Sequence, residues 1–193
     1  SWITDTVISI NNNLLKPNDI QQIFELAFSN CPTINITSEY IDIMSRFYDD
    51  ELISESEMRT AFERAVTICG LDVYDGASIW SRYREFELNE LEDILELESP
   101  ESTVQEAKKR LINVFRRQLI QPLDGNEDVL TTLDECLSEV CVEKDVDIIN
   151  PSSISTAFQS GIELREVRLP FEDNIRSNQF NNLSVQEKTS RWL

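Results

Sequence analysis

The sequence predicts an all-α protein, a solenoid of antiparallel helix pairs with no β-sheet, on three observations. Gly and Pro number only 4 and 6 in 193 residues, whereas an all-β chain of this size needs many tight turns. Four segments repeat one apolar template at helical spacing. Helix-start and helix-stop signals fall between those segments.

The elements follow in order. Ile20, Ile23, Phe24, Ala27 and Phe28 form the first stripe, with Pro32 just beyond its end. A partner helix runs roughly from Tyr40 to Tyr48 through Ile43, Met44 and Phe47. Ser54-x-x-Glu57 resembles a capping box opening the second stripe, Met58, Ala61, Phe62, Ala65 and Val66, which Gly70 ends. Ile79 to Glu87 forms a second partner, with Trp80, Tyr83 and Phe86 at helical spacing. An aromatic stripe of this kind is assigned to repeat packing.

Ser99-Pro100 marks the next start, before Leu111, Val114, Phe115, Gln118 and Leu119, with Pro122 as the stop. Asp124-x-x-Glu127 resembles a second capping box, leading into a partner around Leu130, Leu133 and Leu137 that lacks aromatics. Asn150-Pro151 opens the fourth stripe, Ile154, Ala157, Phe158, Gly161 and Ile162, and Ser184-x-x-Glu187 marks a further helix toward Trp192.

Column identity exceeds ordinary amphipathicity. Phe24, Phe62, Phe115 and Phe158 occupy the same template place, and a small residue stands three positions later in three of the four segments. A small residue beside a ring lets a neighbouring helix approach while the ring fills the gap, so one helix–helix contact is expected four times. The Phe spacings of 38, 53 and 43 residues exceed the tetratricopeptide period and suit looser two-helix repeats with an insertion. Residues 1–193 are expected to form a single array of about four to five helix pairs. Ser1-Trp2 without Met and an apparent helix running into Arg191-Trp192-Leu193 predict a piece of a longer array, cut at both ends.

Charge narrows the function. With 17 basic against 36 acidic residues and a net charge of −19, the surface opposes a phosphate backbone, so direct nucleic-acid binding is not expected. The acidity either maintains solubility or meets a protein partner offering a basic segment. No apolar run is long enough to span a membrane. Without any His there is no mixed zinc site, and no nucleophile elbow or phosphate-cradling loop occurs. No catalytic residue, metal ligand or cofactor is expected. Cys31, Cys69, Cys136 and Cys141 form no C-x-x-C pair, and three lie on or beside apolar helix positions, which predicts buried thiols. Asn35-Ile36-Thr37 and Asn182-Leu183-Ser184 match the glycosylation pattern, which short patterns do by chance.

Residues 85–101 hold eight acidic residues, interleaved with Leu88, Leu91, Ile94, Leu95 and Leu97. The following helix carries Lys108, Lys109, Arg110, Arg116 and Arg117. The acidic stretch is read as an extended first helix that either pairs internally with this basic helix or docks a basic peptide. Arg110, Arg116 and Arg117 are the candidate partner-binding residues.

Trp80-x-x-Tyr83-x-x-Phe86-Glu87 resembles the first helix of a half-a-tetratricopeptide (HAT) repeat, and Ala61-Phe62-Glu63-Arg64-Ala65-Val66 its second helix. Phe24-Glu25-Leu26-Ala27 with Cys31-Pro32 repeats the second-helix pattern more weakly. Gly70 to Glu87 and Phe115-Arg116-Arg117-Gln118-Leu119-Ile120-Gln121-Pro122-Leu123 are similar to the N-terminal HAT region of the U4/U6 snRNP recycling factors. That similarity covers roughly residues 39–193 and weakens after Pro122. Leu130 and Leu133 in place of aromatics, and Gly161 in place of Ala, depart from the pattern. The resemblance implies a nuclear scaffold for pre-mRNA splicing and snRNP assembly, with snRNP components and deubiquitinases as partners. It also implies RNA-recognition domains downstream and dimerisation through the C-terminal HAT half, leaving this part largely monomeric. A HAT scaffold of another RNA-processing complex, such as an mRNA 3′-end cleavage or crooked-neck-type splicing factor, stays open.

Overall fold

A computed structural model describes the backbone of residues 16–140 and 146–190, and the side chains of residues 16–140 and 148–177. All regular structure among the described residues is helical: α1 (Pro17–Asn30), α2 (Ile34–Asp49), α3 (Glu55–Cys69), α4 (Gly76–Glu96), α5 (Glu101–Leu119), α6 (Asn126–Val140), α7 (Val146–Ile149) and α8 (Pro151–Ser190). The chain divides at Phe86, inside α4, into two compact units. No described helix is long and apolar enough to cross a membrane.

In the first unit each helix end is set locally. Pro17 occupies the first turn of α1, and the Thr33 hydroxyl accepts from the Ile36 amide to cap α2. Ser54 and Glu57 form the expected capping box on α3: the Ser54 amide donates to Glu57 at 2.8 Å and the Glu57 amide to Ser54 at 3.3 Å. The Ser54 amide, and after it the Ser54 hydroxyl donating to the same carboxylate at 2.8 Å, hold the Glu57 carboxyl below the usual carboxylate range. Gly70 ends α3 with ordinary right-handed angles, so a left-handed turn does not explain it. Close approach does, because the Trp80 indole donates to the Gly70 carbonyl at 3.0 Å, and a Cβ on Gly70 would lie 2.9 Å from Trp80 Nε1.

The aromatic columns interlock in this unit. Tyr40 of α2 sits against Phe24 and Phe28 of α1, with ring centroids 5.2 and 5.5 Å away. Phe62 of α3 stacks on Tyr83 of α4, centroids 4.9 Å apart and planes within 2°, and meets Phe86 at 5.4 Å. The Tyr83 hydroxyl donates to Glu63 at 2.9 Å. Met58, Ala61, Ala65 and Val66 are buried on the same α3 face, which is the stripe that the periodicity predicts.

In the second unit, Leu91 from the end of α4 joins Leu111, Phe115 and Leu119 of α5, Leu133 of α6 and Ala157 of α8 in one core. Phe158 packs on it from the edge, only partly buried. The small-residue column appears again at Gly161, which is buried where α8 crosses the C-terminal end of α5. A Cβ there would overlap the Leu119 carbonyl oxygen and lie 3.0 Å from that of Gln121. The Asn126 side chain donates to the same two carbonyls, at 3.4 and 2.9 Å, and so supplies partners for the end of α5.

Several expected helix starts differ. Asp124-x-x-Glu127 is not a capping box: α6 begins at Asn126, and Asp124 instead pairs with Arg165 of α8. α5 begins after Pro100, which occupies the cap without a side-chain bond, so Ser99 lies one residue too early to cap it. Asn150-Pro151 opens α8 as expected, the Asn150 side chain accepting from the Ser153 amide at 3.3 Å. Ser184 starts nothing, because α8 runs unbroken from Pro151 to Ser190 with Pro170 inside it. Trp192 and Cys141 lie outside the described residues.

Candidate functional site

Of the residues singled out in the sequence, the motif aromatics form the interior. Phe24, Phe62, Trp80, Tyr83 and Phe115 are all buried, and Phe86 is half-buried under the Arg59 guanidinium, 5.6 Å from its centroid. Glu87 is a buried acid, 1% exposed, with Oε2 3.5 Å from Arg110 Nε. That contact is one point of internal pairing between the acidic stretch and the basic helix, which is one of the two readings the sequence leaves open. Lys108 is buried as well. Glu92, Asp93, Glu96 and Glu98 are exposed, alongside the exposed Leu95 and Leu97.

Among the described residues, Arg64, Arg82 and Arg165 each form an ion pair with a segment about one repeat away. Arg64 of α3 grips Glu25 of α1 with two bonds of 2.6 and 2.5 Å. Arg82 of α4 reaches Asp42 at 2.5 Å and the Ser38 carbonyl at 3.1 Å, both on α2. Arg165 of α8 meets Asp124. The separations are 39, 40 and 41 residues, so the repeat period appears in the charges as it does in the rings.

The exposed side of α5 borders two clefts. Arg116 and Arg117 of α5, with Ile120 just beyond its end, face Ser153, Thr156 and Ala157 of α8 across a cleft of about 420 Å³. A second cleft, of about 410 Å³, lies between Lys109, Arg110, Ile112 and Arg116 of α5 and Ile148 and Ile149. Arg116 lines both. No acidic residue lines either cleft among the described residues, in a chain with 36 acidic residues. The structure thus brings Arg110, Arg116 and Arg117 to one face, although Arg110 also spends its charge on Glu87. The arrangement can hold carboxylates beside apolar side chains. Among the described residues, no group of acidic and thiol side chains is placed to hold a metal ion.

A family model described as the PRP39 N-terminal HAT repeat matches residues 8–134. The chain belongs to that family. The spliceosome associated factor 3, U4/U6 recycling protein, of Mus musculus is 27% identical over 174 residues, covering 89% of this chain and 16% of the relative. The Homo sapiens protein of the same name is 25% identical over the same shares. The chain therefore spans about 16% of the length of these curated relatives.

The family match stops within α6, and α8 with its share of the Arg116 cleft lies beyond it. Sequence reasoning singled out the α5 cations but not the residues that face them. Ile148, Ile149 and Ser153 carried no signal, because their role depends on how α7 and α8 fold back on α5. It also misplaced one thiol. Cys69 and Cys136 are buried as expected, but Cys31 follows the end of α1 and is exposed. Burial pushes the Cys69 thiol up, partly offset by its contact with the Thr37 hydroxyl at 3.1 Å. Thr37 is itself fully buried within α2, which removes Asn35-Ile36-Thr37 from the surface loops that glycosylation needs. The side chains of the second pattern, at Asn182, lie outside the described residues.

Proposed function

We propose that this HAT array is a protein–protein interaction scaffold of a nuclear pre-mRNA splicing factor, supporting U4/U6 snRNP assembly and recycling, and that it is not an enzyme. The observation that carries the reading is the relationship to two U4/U6 recycling proteins over 89% of the chain. The fold supports it. The motif residues are consumed in packing helix on helix, which leaves the outward faces of the repeats as the part free to meet other molecules. Its snRNP contacts are made through protein components, since a net charge of −19 repels a phosphate backbone.

Affinity purification of the full-length parent from nuclear extract tests this. U4 and U6 snRNAs and their proteins should be enriched, and deletion of residues 16–190 should lower that enrichment. Recovery of neither RNA, or recovery indifferent to the deletion, would contradict the proposal. The family description itself favours a second reading, because it is drawn from PRP39 rather than from a U4/U6 factor. Under that reading the array scaffolds a different RNA-processing complex, and the same purification would return another particle.

A further inference from the structure

We propose that the paired clefts on the outward side of α5 are a docking groove for an acidic, leucine-bearing segment of a partner protein. The inference rests on the scaffold reading and names the chemistry of one partner. It differs from the basic-segment partner that net charge left open beside a purely solubilising role.

Charge is the first ground. Lys109 and Arg116 are exposed and have no carboxylate partner among the described residues. Among the described residues, Arg116 donates to the neutral side chain of Asn113, at 2.7 Å. Arg110 and Arg117 add to the same rim. Exposed cations that lack internal acids, gathered where no described acid lines the wall, form a local positive site on a chain of charge −19. Guanidinium groups bind carboxylates through paired N–H donors, so Arg116 between the two clefts is placed to take an acidic side chain.

The floor is the second ground. Ile120 is 43% exposed at the end of α5, although most apolar side chains on that helix are buried in the core. Ile112 and Ile149 line the neighbouring cleft, and Ala157 the first. An apolar floor beneath a cationic rim suits a peptide that alternates acids with leucines. It offers nothing to an RNA backbone, whose long-range repulsion by the rest of the chain a short rim cannot offset. Each cleft, at about 420 and 410 Å³, is large enough for one or two side chains rather than a folded domain.

The test uses the purified 193-residue chain and a fluorescent synthetic peptide alternating Glu with Leu. Controls are the same peptide with Gln for Glu, the same peptide with Ser for Leu, and a single-stranded RNA of similar length. The Glu–Leu peptide should bind with Kd of about 10–100 µM, and binding should weaken as salt rises. Arg116→Glu and Lys109→Glu should each raise Kd about tenfold or more, and Ile120→Ser should raise it severalfold. All three residues are exposed, so the circular dichroism of each variant should match the parent. Three results would overturn the proposal. One is peptide affinity indifferent to Arg116→Glu. Another is RNA binding that outcompetes the peptide. The third is a concentration-dependent dimer that Arg116→Glu abolishes, which would give the groove to a second copy of this chain. A chain that recovers U4/U6 particles but ignores the peptide sinks only the groove, so the two failures are distinguishable.

Discussion

Gln118 and Ala65 hold the same place in successive copies of one template, three residues after the column Phe, and both are fully buried. Their consequences differ. Ala65 brings no polar atom into the core, whereas neither amide atom of Gln118 finds a hydrogen-bond partner among the described residues. An unsatisfied buried amide costs about 1–3 kcal/mol, so Gln118→Leu should raise stability by roughly that amount, read as a shift in the urea midpoint at unchanged slope. A loss would show that the amide is satisfied. Tyr40 makes a pH-dependent prediction. Burial, then the nearby Glu25 carboxylate, pushes its hydroxyl up from 10.0 to about 12. Between those values the folded chain holds a proton that the unfolded chain has lost. Its contribution is therefore complete below pH 10 and disappears as pH rises toward 12. Tyr40→Phe should flatten that alkaline loss in denaturation curves, and an unchanged slope would contradict it. At this scale the aromatic columns were legible because each ring sits on a periodic stripe. Cys31 and Asp124 were not, because their surroundings depend on where the chain turns.

Helices interact here through backbone approach as much as through side chains. Gly161 marks a close crossing, against the Leu119 and Gln121 carbonyls. Because those atoms are backbone, a methyl group can be accommodated only by moving α8 away from α5. Gly161→Ala should cost about 1–3 kcal/mol, measured by thermal denaturation, and an unchanged Tm would show that the crossing is loose. The ion pairs of α1 with α3, α2 with α4 and Asp124 with α8 are partly exposed. They contribute little to stability and more to fixing which residues meet. The apolar stripes were readable from the period, and the starts at Ser54 and Asn150 from their caps. The length of α8 was not, because Pro170 removes one backbone bond and reads in sequence as a boundary, yet the helix continues through it.

At the scale of the molecule, scarcity of Gly and Pro, the recurring Phe column and the aromatic first helix pointed to a HAT array, and membership of the HAT family follows from the match to residues 8–134. The proposed docking surface was only half legible. Arg110, Arg116 and Arg117 were visible as a basic run, but the wall opposite them comes from residues 148–157, more than one helix away. Such a site is a property of the folded chain, and no local pattern encodes it. The scaffold reading makes protein contacts, not RNA, the means of association. The most direct test is to immobilise the 193-residue chain, incubate it with nuclear extract, treat the captured material with nuclease and identify what stays bound by mass spectrometry. Splicing snRNP proteins retained after complete RNA digestion are the expected result, and their quantitative release by nuclease would contradict it.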